Sequence, residues 1–269
     1  MAQAKEKSPV RSMLNKVPEV TALFWVIKIM ATTVGETAAD FLNQKLNLGS
    51  SGTTVLMIIA LLAALVFQFR ARSYVPGIYW LVVVLISVVG TLITDTLVDT
   101  FHISLWTTTA IFTVGMFTSF GVWYAVEKTL SIHAITTTRR EIFYWTSILF
   151  TFALGTAAGD LIAEKLALGY WRSGLLFAGL IGLVAIGRFV FKLNEVAAFW
   201  IAYVLTRPLG ASIGDFLTAP KADGGLAIPT TVITAVFLTT ILAIVGYFTQ
   251  QQRKSTQSVS LDELEQPIS

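Results

Sequence analysis

The chain alternates long apolar runs with short polar connections, and the lengths of the runs set the first reading. Eight runs, at roughly residues 19–42, 53–69, 77–99, 104–126, 141–163, 174–191, 195–217 and 227–249, approach the 20 or so mostly apolar residues that a hydrocarbon core of about 30 Å asks of a helix. Each predicts a membrane-spanning α-helix, because a chain crossing lipid must satisfy its backbone polar groups internally. A polar arm at 1–15, short loops and a tail at 250–269 remain, and the low hydrophobicity of the tail predicts a disordered segment.

The runs also repeat in register. Trp25, Trp80, Trp145 and Trp200 each follow an aromatic residue (Phe24, Tyr79, Tyr144 and Phe199). Ten positions after each tryptophan comes glycine (Gly35, Gly90, Gly155, Gly210), and fifteen after it comes aspartate (Asp40, Asp95, Asp160, Asp215). Four copies of [FY]-W-x9-G-x4-D at constant spacing make one transmembrane domain, 16–249, from four repeats at about 16–70, 71–127, 136–191 and 192–249. The first and third copies share KL-x-LG, at Lys45 to Gly49 and Lys165 to Gly169, which suggests a unit duplicated twice. Because each unit holds two spans, every copy enters the membrane in the same direction. The expected fold is an all-α membrane protein of eight transmembrane helices, arranged as four parallel two-helix repeats with pseudo-symmetry about the membrane normal.

Composition supports this: 55% hydrophobic residues, 13% charged residues and a mean hydropathy of +0.72 lie well outside the range of soluble domains. The net charge of +3 matters through its distribution. Eight spans put both termini and the even-numbered loops on one side, with thirteen Lys and Arg residues, against Lys45, Lys165, Arg172 and Lys221 on the other. The positive-inside rule then places both termini in the cytoplasm. The basic residues report topology, and no nucleic-acid patch is expected. The first run is too long for a signal-peptide core and is expected to stay. The absence of cysteine removes disulfides and thiolate chemistry. No phosphate loop, nucleophile elbow, zinc motif or dinucleotide fingerprint occurs, so neither an enzyme nor a cofactor is expected.

The repeat resembles a family of bacterial integral-membrane proteins defined by a "repeat of unknown function", in which copies with the W...G...D spacing stand in tandem. The resemblance rests on K-x-P-E-V-T-x-x-F-W-V-x-K from Lys16 to Lys28 and on GETAAD from Gly35 to Asp40, and it extends over about residues 16–249. It implies a multi-pass protein of the bacterial inner membrane and assigns no activity. Glutamate follows the repeated glycine only in the first copy; Thr91, Thr156 and Ala211 stand in the place of Glu36.

Two readings of the repeated residues follow. In the architectural one, each glycine and the residue four places later (Ala39, Thr94, Gly159 or Gly214) form a small-x-x-x-small face for close helix packing. The tryptophans then fill the space below, and the aspartates cap helix ends or bind loop amides. In the functional one, steps of 100° gather Trp25, Lys28, Thr32, Gly35, Glu36, Ala39 and Asp40 into a sector of about 140°. Arg207 occupies the repeat slot of Thr32, and Pro208 after it is expected to disturb the seventh helix. Intramembrane charges normally face a bundle interior or water. A mid-membrane cluster of Lys28, Glu36 and Arg207 is therefore expected, either as an ion pair fixing register or as a substrate or proton site. The net positive cluster suits an anion, whereas a ring of Asp40, Asp95, Asp160 and Asp215 favours cations.

Glu19, Glu141 and Glu195 at helix starts are accounted for by the helix dipole, and His102 and His133 lie at opposite membrane ends. A metal site of carboxylate oxygens is left open. The expected function is a secondary transporter or channel-like permease for a small ion or solute, with divalent cations among the candidates. The alternative is a non-transporting membrane scaffold or sensor acting through a protein partner. Lipid is the one certain surrounding; a homo-oligomer is left open.

Overall fold

The computed structural model describes residues 15–45 and 48–265, so residues 1–14 of the expected N-terminal arm lie outside it. Eight long helices carry the described chain: α1 (Ala22–Lys45), α2 (Gly49–Arg70), α3 (Pro76–Asp95), α4 (Leu105–Glu127), α5 (Thr138–Asp160), α6 (Tyr170–Phe189), α7 (Glu195–Thr218) and α8 (Thr230–Glu265). All eight contain a stretch long and apolar enough to cross a membrane. No strand occurs among the described residues.

Local chemistry explains most boundaries. Ser104, Thr137 and Asn194 each accept a backbone N–H of the first turn of α4, α5 and α7, and Pro76 opens α3 where its missing N–H costs nothing. The shared KL-x-LG signature also acquires a cause. Gly49 and Gly169 have φ of 68° and 78°, a left-handed backbone that a side chain resists, at the starts of α2 and α6. Directly after Asp95 and Asp160 the chain makes single π-helical turns, Thr96–Thr100 and Leu161–Lys165.

Two expectations about element limits change. The helix expected to end near 249, before a disordered tail, continues to Glu265, because residues 250–265 contain no glycine or proline to stop it. Pro208 does not break α7, which runs unbroken from Glu195 to Thr218. The ring of Pro208 packs beside Gly155 and Gly159 of α5, so neighbouring contacts hold a helix that has lost one internal hydrogen bond.

The tertiary arrangement is a ring within a ring. α1, α3, α5 and α7 pack in cyclic order, α1 on α3, α3 on α5, α5 on α7 and α7 back on α1. The other four helices form the outer layer. Here the partner of each is not its own repeat's first helix but the next one: α2 lies on α3, α4 on α5, α6 on α7, and α8 closes the circle on α1. The outer helices turn large apolar side chains outward, among them Ile59, Phe67, Phe117, Leu183 and Leu242. Such a surface is what lipid requires, and the protein is a multi-pass membrane protein.

Candidate functional site

Repeat-equivalent positions on the four inner helices meet at equivalent places, so they form layers across the ring. A β-carbon added at Gly35 would overlap Ser87 of α3, and one at Gly210 would overlap Thr32 of α1; at Gly155 it would overlap the stem of Arg207 on α7. At Gly90 it would come within 3.1 Å of Phe152 on α5. Each glycine thus receives the residue three positions before the next copy's glycine. The tryptophans obey the same rule. Phe24 packs on Trp80 at 5.6 Å, Tyr79 on Trp145 at 5.4 Å, Tyr144 on Trp200 at 6.1 Å, and Phe199 returns to Trp25 at 5.7 Å. This aromatic collar is completed by a 2.6 Å hydrogen bond between the hydroxyls of Tyr79 and Tyr144.

Below the collar, at the end where the inner helices start, the segment before α1 is tied under the ring. Lys16 Nζ donates to Glu141 Oε2 at 2.7 Å and to the Phe69 carbonyl at 3.1 Å, while Gln68 Nε2 donates to Glu141 Oε1 at 2.8 Å. The backbone adds Lys16 N–H to Ile135 O and Tyr74 N–H to Asn15 O, both at 3.0 Å. Glu141 stands in the first turn of α5, as the dipole reading expects, and is also fully buried in an ion pair that the sequence does not announce.

Above the collar lies Lys28. Its ammonium sits 4.2 Å from the ring centre of Phe152 and 4.1 Å from that of Tyr203, and donates to Thr206 Oγ1 at 3.1 Å. This corrects the expected three-residue cluster, for Lys28 makes no ion pair with Glu36. The two share a helix sector, but eight residues separate them by about 12 Å along the axis. A sector fixes direction around a helix and not depth. Thr32 also has a packing role, donating to the carbonyls of Ile29 and Thr206.

Arg207 starts only four residues below the level of Glu36, and its long side chain covers that distance. Nη2 donates to Glu36 Oε2 at 2.9 Å, to Thr156 Oγ1 at 2.6 Å and to Thr91 Oγ1. Glu36, Thr91 and Thr156 occupy the same repeat slot on α1, α3 and α5. The guanidinium, on α7, therefore stands in the middle of the ring with one oxygen from each of the other three inner helices. It is wholly buried, whereas the Glu36 side chain keeps 8% of its surface open. Nε and Nη1 of Arg207 have no hydrogen-bond partner among the described residues.

Beyond this pair the inner helices carry the repeated aspartates. Asp40, Asp95, Asp160 and Asp215 are partly exposed, and all four lie within electrostatic range of Glu36. None forms an ion pair or side-chain hydrogen bond among the described residues, which removes the expected capping role. Nor do three acidic or histidine side chains among the described residues converge closely enough there to chelate a metal ion. The ionisable groups are thus layered along the ring: the aspartates, then the guanidinium–carboxylate pair, then Lys28, the collar and the Lys16–Glu141 tie.

Sequence patterning does not single out Thr91, Thr156, Lys16 and Gln68 as partners. The two threonines are marked only by their repeat slot, opposite the glutamate; Lys16 and Gln68 carry no such mark. The sequence matches the family described as Repeat of Unknown Function (DUF347) four times, at residues 23–74, 78–129, 143–193 and 198–254. No curated protein and no solved structure matches the chain.

Proposed function

The chain belongs to the Repeat of Unknown Function (DUF347) family, and from that premise we propose that this member is a permease of the bacterial inner membrane that admits a small cation through the centre of its helix ring. Both termini face the cytoplasm in this reading, so the aspartate end faces outward. The observation that carries it is the placement of the ionisable side chains. Glu36 pairs with Arg207, and all four repeated aspartates lie within electrostatic range of Glu36, free of capping or pairing duties among the described residues. A structural bundle gains nothing from four unpaired carboxylates at one level, whereas a ring of carboxylates concentrates cations at an entrance. The Arg207–Glu36 pair acts as the gate. The buried collar beneath it fits a closed state, and it is also the feature that a non-transporting scaffold or sensor would share.

Flux through purified protein in liposomes separates the two. Small mono- and divalent cations should enter faster than into protein-free vesicles, and changing Asp40, Asp95, Asp160 and Asp215 together to asparagine should lower the rate several-fold at low salt and less at high salt. Rates equal to those of empty vesicles for every cation tried would leave the scaffold reading standing.

A further inference from the structure

Arg207 is an ill-matched occupant of the oxygens around it. A guanidinium offers five N–H groups spread around a planar fork. Here three oxygens from three helices, Glu36 Oε2, Thr91 Oγ1 and Thr156 Oγ1, gather on Nη2, which has only two hydrogens. The three N–H groups on Nε and Nη1, equally buried, meet no acceptor among the described residues. A buried donor without a partner is costly. Oxygens that surround one point, instead of lining a fork, are the arrangement a small hard cation takes.

We propose that Glu36, Thr91 and Thr156 form a binding site for a partly dehydrated monovalent alkali cation, and that the Arg207 side chain is its tethered competitor, holding the site when the ion is absent. One carboxylate and two neutral hydroxyls balance a single positive charge. Asp160 and Asp215 lie within electrostatic range of Arg207 on the acidic side, so their charge still counters the guanidinium when an ion takes its place. A cation arriving from the acidic side takes the three oxygens as the guanidinium is displaced from them. This inference rests on the permease reading for the route of the ion, while the site itself is tested by binding.

The test is thermal unfolding of the purified full chain in chloride salts of sodium, potassium or the bulky N-methyl-D-glucamine cation at constant ionic strength. Arg207→Gln empties the shell of its tethered charge. Its melting temperature should rise saturably with sodium or potassium, by about 5 °C or more at a hundredfold excess over Kd, and not with the bulky cation. The wild type should respond less, and Glu36→Gln combined with Arg207→Gln not at all. Equal responses to all three salts, or a response that survives in the double variant, would overturn the proposal. Arg207→Lys, with a shorter tethered charge, serves if Arg207→Gln does not fold: a saturable sodium response is expected, and a flat one counts against the site. Sodium binding by Arg207→Gln without flux through the wild type would keep the site and remove the permease; flux with no ion-selective binding would do the reverse.

Discussion

At the scale of single residues, the outcome turns on which charges have partners. Lys28 is fully buried, with a hydroxyl and two ring faces for company and no carboxylate, and Arg207 is a like charge near it. A buried charge with no counter-charge carries a desolvation penalty that no ion pair repays, and an apolar side chain of similar shape avoids it. Lys28→Met should therefore leave the fold intact and raise its melting temperature; a marked loss of stability would show that the ammonium does more than occupy space. The Arg207–Glu36 pair is legible in the amino-acid sequence, because each charge breaks its repeat column: Glu36 stands among threonines and an alanine, Arg207 among a threonine, a serine and a phenylalanine. The depth of Lys28 is not legible there, because a helical projection discards height. Nor is the role of Glu141, since a glutamate in a first turn looks the same in sequence whether it faces water or a lysine from a segment far away along the chain.

At the scale of elements, the repeated glycines are contact points of unequal tightness, which makes them distinguishable by experiment. Gly35 and Gly210 leave no room for a β-carbon against Ser87 and Thr32, whereas nothing lies within 4 Å of one added at Gly182 on α6. Gly35→Ala and Gly210→Ala should each cost about 1–3 kcal/mol through overpacking, and Gly182→Ala should be neutral or mildly stabilising through helix propensity. Denaturation midpoints in detergent decide this, and equal effects at all three sites would remove the close-approach argument. The existence of the inner seams is readable from small-x-x-x-small spacing. The lending of each outer helix to the following repeat is not, since sequence order alone makes α2 the natural neighbour of α1. Only the packing of α8 on α1 closes the pattern. The repeats are units of sequence, and the packed pairs straddle their boundaries.

At the scale of the whole molecule, the two ends differ in sign. Arg70, Arg72, Arg139, Arg140, Arg188 and Lys192 gather at the end where the inner helices start, and the four repeated aspartates crowd the other. Some of the basic charge is tied down, with Glu127 accepting from Arg139 at 2.5 Å and from Arg140 at 2.6 Å. Reporter fusions after Arg72, Arg140 and Lys192 should all read cytoplasmic by the positive-inside rule; one external reading among them would overturn the eight-span count, and three would reverse the side from which an ion approaches.

The cyclic packing bears on stoichiometry. In a ring assembled from identical separate subunits, any residue at the centre appears once per subunit, so an arginine there would bring four guanidiniums to one point and a glutamate four carboxylates. Joining the copies in one polypeptide lifts that constraint. The slot that receives each glycine holds Thr32, Ser87, Phe152 and Arg207, and the slot above holds Glu36, Thr91, Thr156 and Ala211. One positive and one negative charge thereby meet at the centre of an otherwise fourfold object, a composition that symmetry would forbid to a homotetramer and that covalent linkage makes available.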